Sequence, residues 1–353
     1  MTCDSSGEYN ANRNRRESMA SKIAIIGLGQ IGGSFGLALK ARPGSPQIVG
    51  FDKEREMGRS AEILGAVDRT EGLKEAVQDA EIVILCLPLG EMDRTLERIG
   101  PALNDDAVVF DTAPIKGRVM TWIKEHLPPG RHYVGLVPAI NPALLAAPET
   151  GINAARADLF QRTVMLVAAP PNTPEPVQQL AMNLAQWLGA KPLLADPAEV
   201  DGIMTTAHVI PQLTAAALVE ACAAGSGWME ARKVAGKPFV GVTGGAAYFD
   251  DATSLEIAAL STPSTVVHAL DILIASLQGM RDDVQQGNQE GVGERLTHSF
   301  RTRERWLDER GAADWLGEGR DPVQIPELGE QMMRALFGGK IVDRHKPRKT
   351  KRG

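Results

Sequence analysis

The chain is poor in cysteine: Cys3, Cys86 and Cys222 are the only three in 353 residues. They lie far apart and lack the paired spacing of metal-ligand motifs, so neither a disulfide framework nor a structural zinc or other metal site is expected. Long uninterrupted apolar runs are also missing, since none reaches the roughly 18 residues that a membrane span needs. The opening segment MTCDSSGEYNANRNRRES is polar and has no apolar core of the signal-peptide kind. These absences predict a cytoplasmic chain with no membrane partner. An excess of positive charge is absent too: 38 Lys and Arg face 44 Asp and Glu, a formal charge of −6, which argues against a nucleic-acid partner.

What is present is a globular composition, 43% hydrophobic and 23% charged, in a chain long enough for two domains. Residues 1–20 carry no hydrophobic periodicity and read as a disordered tail. The other end, DRHKPRKTKRG, holds six Lys and Arg in eleven residues and reads as a basic disordered tail over 343–353. Between the tails, Ile23–Gly27, Gln47–Asp52, Ile82–Leu87 and Ala107–Asp111 are short, continuous apolar runs bounded by turn residues. Helical stretches such as Ile31–Ala41 and Glu54–Leu64 separate them. Alternation of this kind implies βαβ units, and unbroken apolar strands imply a parallel sheet covered on both faces. Val134–Leu136 and Thr163–Ala168 add strands, giving a doubly wound α/β domain over 21–196. From 197 to 290 the apolar residues recur at three- and four-residue spacing among many alanines, as in VDGIMTTAHVIPQLTAAALVEACAAG, so this domain is all helical. A charged helical extension over 291–342 follows, to which no chemistry is assigned.

KIAIIGLGQIGG places Gly27, Gly29 and Gly32 in G-x-G-x-x-G spacing, directly after a strand and at the start of a helix. The first glycine makes a tight turn, the second lets backbone approach a pyrophosphate, and the third lets helix and strand pack closely. The helix N-terminus supplies unpaired N–H groups for phosphates. Asp52 follows Gly32 by twenty residues at the end of the next strand, where a carboxylate accepts from both ribose hydroxyls of NAD and repels the 2′-phosphate of NADP. Lys53 and Arg55 soften that preference, leaving NADP possible. The expected cofactor site comprises Gly27, Leu28, Gly29, Gln30, Ile31, Gly32, Asp52 and Lys53, with Leu87, Pro88 and Asp111 from the following strand ends. The architecture is of Rossmann type.

These segments, together with GAVDR, DAEIVILCLPL, VVFDTAPIKG, ETGINAARADLF and AHVIPQLTAAALVEA, resemble in order the pattern of the prephenate and arogenate dehydrogenase family, from about Lys22 to about Asp283. The resemblance implies a nucleotide-binding domain followed by a helical dimerisation domain, a homodimer, and oxidative decarboxylation of a cyclohexadienol acid on the way to tyrosine. Such chemistry needs a group to hold the hydroxyl proton while hydride leaves, and a cationic clamp for a carboxylate.

Three positions depart from the family pattern. DTAPIK keeps Asp111 and Lys116 but has Pro114 where the family has serine. Val137-Pro138-Ala139 replaces a His-Pro-Met loop, and FVGVTGGA puts Gly244 where an arginine holds the substrate carboxylate. His208, matching a histidine of the family's Ser-His-Leu-Pro-His segment, is then the candidate catalytic residue. Lys116, Val137, Asn141, Thr205, Gln212 and Gly244 are the candidate substrate contacts, and the glycine-rich loop carrying Tyr248 is expected to shape the pocket. Three functions stay open: an NAD(P)-dependent dehydrogenase of the family type, the same hydride transfer on a less anionic hydroxy substrate, and a non-catalytic NAD-binding sensor or assembly protein.

Overall fold

The computed structural model describes residues 22–147, 149–246 and 251–313; both tails and Tyr248 lie outside them. Eight strands form one sheet: β1 (Lys22–Ile26), β2 (Gln47–Phe51), β3 (Arg69–Thr70), β4 (Ile82–Leu85), β5 (Val108–Asp111), β6 (His132–Pro138), β7 (Thr163–Ala168) and β8 (Ala190–Ala195). Their spatial order is β3-β2-β1-β4-β5-β6-β7-β8, and chain direction reverses its progress between β1 and β4. Ligands of open α/β sheets bind at such a switch point, outside the carboxyl ends of the strands.

Alternation along the strands explains how both faces come to be covered. Ile23 and Ile25 point to one side, where Phe35 and Leu39 of α1 (Gln30–Lys40) join them. Ala24 and Ile26 point to the other, toward Leu89, Met92 and Leu96 of α4 (Leu89–Ile99). Between these helices in chain order lie α2 (Arg55–Ile63) and α3 (Leu73–Val77); α5 (Lys116–His126) and α6 (Glu175–Trp187) complete the domain. Every residue of β1, β4 and β5 is buried, which is why these strands read as unbroken apolar runs.

One expectation is corrected: the sheet is not wholly parallel, because β6 and β7 pair antiparallel. A parallel return needs a crossover helix. The segment after β6 offers only two 3₁₀ turns, Pro142–Leu144 and Gly151–Ala154, so the chain folds back instead.

Asp196 opens the helical half by accepting from the Ala198 amide at 2.8 Å, capping α7 (Pro197–Met204). A π turn, Thr205–Val209, joins α7 to α8 (Ile210–Ala223). Pro211 lacks the N–H that would close the α-helical bond to Ala207, and the helix widens just before it. There follow α9 (Trp228–Val234), α10 (Lys237–Thr243), α11 (Ala252–Ser261), α12 (Pro263–Gln285) and α13 (Gln289–Ala312).

The continuous run Pro197–Ala223 is long and apolar enough to cross a membrane by length and composition, and 22% of its most apolar 18 residues are buried. Buried polar residues on it speak for packing against the sheet domain instead. Asp201, Thr205 and Gln212 are all buried there, and Asp201 bonds directly to α5. A second tie is made by α11, where the Ser254 hydroxyl accepts from the Gly90 amide at 3.0 Å in the first turn of α4.

Candidate active site and cofactor cleft

The glycine turn lies at the carboxyl end of β1, beside the switch point. Gly27 has φ of +91°, and a Cβ there would meet the Cys86 carbonyl oxygen at 2.2 Å, so both conformation and space call for glycine. A Cβ on Gly32 would meet the Gly27 carbonyl oxygen at 1.9 Å, the close approach of helix and turn expected from the motif. Gly29 differs from both. Nothing of the chain lies within 4 Å of the Cβ it lacks, so the fold leaves that space open. It stands at the N-cap of α1 with no side-chain cap, so the first-turn amides of Gln30 and Ile31 lack a capping side chain.

Asp52 sits just past β2. One carboxylate oxygen accepts from the Leu28 amide at 2.7 Å and the other from the Glu54 amide at 2.8 Å, which fixes the group beside the glycine turn. Each oxygen retains a lone pair for a further donor. The neighbouring Lys53 pairs with Glu91 of α4, and that bond and charge hold the ammonium above its ordinary pKa. Leu28 is fully buried, so it contributes backbone only; Leu87 is half-buried and Pro88 exposed at the start of α4. These residues fit a dinucleotide: open space at Gly29, amides at a helix start and an oriented carboxylate at the next strand end.

Asp111 and Lys116 depart from expectation. Both are fully buried, so direct contact with cofactor or substrate is replaced by a structural role. The Lys116 ammonium donates to Asp111 at 2.8 Å and to the Leu136 carbonyl at 2.9 Å. Asp111 also accepts from the Tyr133 hydroxyl at 2.7 Å and the Ala113 amide at 2.8 Å. Burial pushes Lys116 below the usual lysine range against the pull of Asp111, and burial followed by the Asp111 charge pushes the Tyr133 phenol well up. Asp201 of α7 completes the group by accepting from the amides of Lys116 at 2.5 Å and Gly117 at 2.9 Å. Its carboxylate caps α5 from the other domain, and burial raises its pKa against those two bonds. Tyr133 and Asp201 were not singled out in the sequence; the signal available was a polar residue on an otherwise apolar face in HYVGLV and PAEVDGIM.

The substrate-side candidates fall into three groups. Val137 is buried against Ala168 and Val200, with Met204 packed beside them, so a position where the family pattern has histidine is filled by contact between β6 and α7. Asn141 caps the turn after β6, accepting from Ala143 at 3.1 Å and donating to the Asp158 carbonyl at 3.1 Å. Gly244 opens a 3₁₀ turn packed on α8. His208 is half-buried on the π turn, a helix irregularity frequent at functional sites. The buried Thr205 hydroxyl on the same turn donates to the Asp201 carbonyl at 2.8 Å, and the Gln212 amide donates to the His208 carbonyl at 3.1 Å. Both therefore brace the turn.

Comparison with known proteins agrees with this architecture. Residues 35–194 match the model of the prephenate dehydrogenase nucleotide-binding domain. Cyclohexadienyl dehydrogenase of Zymomonas mobilis is 30% identical over 200 residues, which is 56% of this chain and 66% of that protein. Prephenate dehydrogenase of Bacillus subtilis is 27% identical over 203 residues, 57% of this chain and 53% of that protein. The matched region thus spans between half and two thirds of these relatives' lengths. Among solved structures, prephenate dehydrogenase from A. aeolicus in complex with hydroxyphenyl propionate and NAD+ superposes with a TM-score of 0.68 at 20% identity, covering 81% of this chain and 98% of that one. Synechocystis arogenate dehydrogenase gives 0.61 at 21% identity, covering 81% and 99%. The chain is related to the prephenate/arogenate dehydrogenase family at 20–30% identity, as a divergent relative.

Proposed function

We propose that the chain is an NAD-dependent oxidoreductase of the prephenate/arogenate dehydrogenase type. The observation that carries the reading is the glycine turn at the switch point: it keeps open space at Gly29 and holds Asp52 beside it by two backbone bonds. Asp52 would hold the ribose hydroxyls of NAD and the first-turn amides of α1 its pyrophosphate, and the bound nicotinamide would supply the hydride acceptor for the carbon bearing the substrate hydroxyl. Lys53 is engaged by Glu91, which lessens its draw on a 2′-phosphate and favours NAD over NADP. His208 takes the hydroxyl proton, imidazole being the side chain suited to that task near neutral pH. With a cyclohexadienol acid, loss of carbon dioxide and aromatisation follow.

Val137 gives weight to a second reading. Its packing against Val200 removes any polar group from that position, and Gly244 brings no cation, so a hydroxy substrate less anionic than prephenate also suits the site. For the helical half we propose a second copy of the chain as partner. Val267, Ile272, Ile274, Leu277 and Val284 of α12 are exposed, an apolar surface that a monomer leaves in water.

The test is NADH formation by the full chain supplied with NAD and either prephenate or arogenate. Turnover that His208→Ala lowers by roughly 10²–10⁴-fold supports the proton role. NAD binding without turnover of either acid rejects the tyrosine-pathway substrates and leaves the second reading or a sensing role.

A further inference from the structure

Helix α13 buries none of its 24 residues, so core packing does little to fix where it lies. Its last turn is nevertheless tied at two points. Arg310 Nη2 donates to the Ile140 carbonyl at 2.7 Å, and the Gly311 carbonyl accepts from Arg162 Nη2 at 2.9 Å. Ile140 lies just beyond β6, and Arg162, with φ of +57°, immediately precedes β7. The two bonds therefore grip both arms of the segment that links these strands, and this segment begins where the family pattern has its histidine loop. Pro142, Leu145 and Leu307 supply apolar contact around the same point, lining with the two arginines a cavity of about 290 Å³.

The Ile140 carbonyl belongs to the peptide plane shared with Asn141. A guanidinium holding that oxygen fixes the plane. The Asn141 backbone N–H donates to the Leu159 carbonyl at 2.7 Å, so the loop is pinned on one side by the turn that precedes β7 and on the other by α13. We infer that Arg310 is a positioning residue for the substrate loop 137–147, acting through the Ile140 carbonyl, with Arg162 fastening the same helix end to β7. The inference rests on the reading that this loop borders the substrate pocket. It makes the last turn of α13 part of what sets substrate specificity, although no side chain of α13 is assigned to the chemistry.

The experiment compares the full chain with Arg310→Ala, Arg310→Lys and, as a control in the same turn, Glu309→Ala. Amide hydrogen exchange followed by mass spectrometry decides whether the tie exists without needing a substrate. Arg310→Ala is expected to speed exchange across 139–147 about tenfold, with β1 and β4 unchanged and Glu309→Ala silent. Unchanged exchange in 139–147, or an equal rise throughout the chain, overturns the inference. On whichever acid is turned over, Arg310→Ala is expected to raise KM about tenfold while kcat stays within about twofold and NAD affinity is kept; Arg310→Lys recovers part of the loss. Faster exchange with unchanged KM overturns the positioning role. Absence of turnover in the unsubstituted chain counts against the proposed function and leaves the exchange result to decide the tie.

Discussion

The two halves of the molecule solve the same packing problem differently. In the sheet half, strands β1, β4 and β5 are buried along their whole length and helices cover both faces. In the helical half, α12 buries only Val266 among its 23 residues, and among the described residues fifteen of the twenty exposed large apolar side chains lie beyond residue 200. The first half closes its own core; the second leaves apolar surface that needs a cover. The contrast places the glycine turn and Asp52 in a self-sufficient scaffold and leaves the helical half to a few polar ties.

The sharpest way to break that contrast is to separate glycines that serve the fold from the one that serves a ligand. Gly32→Ala drives a Cβ to 1.9 Å from the Gly27 carbonyl oxygen and is expected to destabilise the sheet half severely, seen as a lowered melting temperature. The Cβ that Gly29→Val adds meets nothing within 4 Å beyond its chain neighbours, so the variant is expected to melt like the parent yet lose NAD affinity by about two orders of magnitude or more. Equal melting and equal NAD affinity in Gly29→Val would remove the glycine turn from the cofactor site.

A smaller but still large effect is expected inside the sheet half, at the buried pair that joins β5 to α5. Lys116→Met leaves the buried Asp111 carboxylate without its cation, at a cost of about 3–5 kcal/mol measurable by denaturant unfolding. Adding Asp111→Asn is expected to recover part of it, since the uncompensated charge is then gone. Full stability in Lys116→Met would show that the pair contributes nothing to the stability of the sheet half.

The mildest change concerns the uncovered face. Ile272→Asp with Leu277→Asp is expected to shift the chain from dimer to monomer in light scattering, with the nucleotide half still binding NAD. A parent chain that is already monomeric would contradict the proposed second copy.

Much of this was legible because burial writes a simple pattern. Ile23–Ile26 and Ile82–Leu85 are apolar at every position, and the Gly27-Gly29-Gly32 spacing with Asp52 reports backbone geometry that few other contexts require. β8 was missed because it is a half-exposed strand containing Lys191 and Pro192, and β3 because it is only two residues long. Lys116 was misplaced for a different reason: sequence does not reveal that its partner Asp111 and the Leu136 carbonyl converge on it inside the protein. The π turn at His208 had a signal in Pro211, whose missing N–H disturbs a helix that the apolar periodicity alone would leave regular. The tie from Arg310 to Ile140 joins residues 170 apart in the chain, beyond the reach of any local pattern.

The sheet half is proposed as an NAD site beside a substrate side that departs from the family pattern, and calorimetric titration of the full chain with NAD is the test. Saturable binding at a single site per chain, with NADP weaker, is expected, because Asp52 is placed to meet the ribose and Lys53 is held by Glu91. Absence of binding, or NADP binding more tightly than NAD, would contradict it.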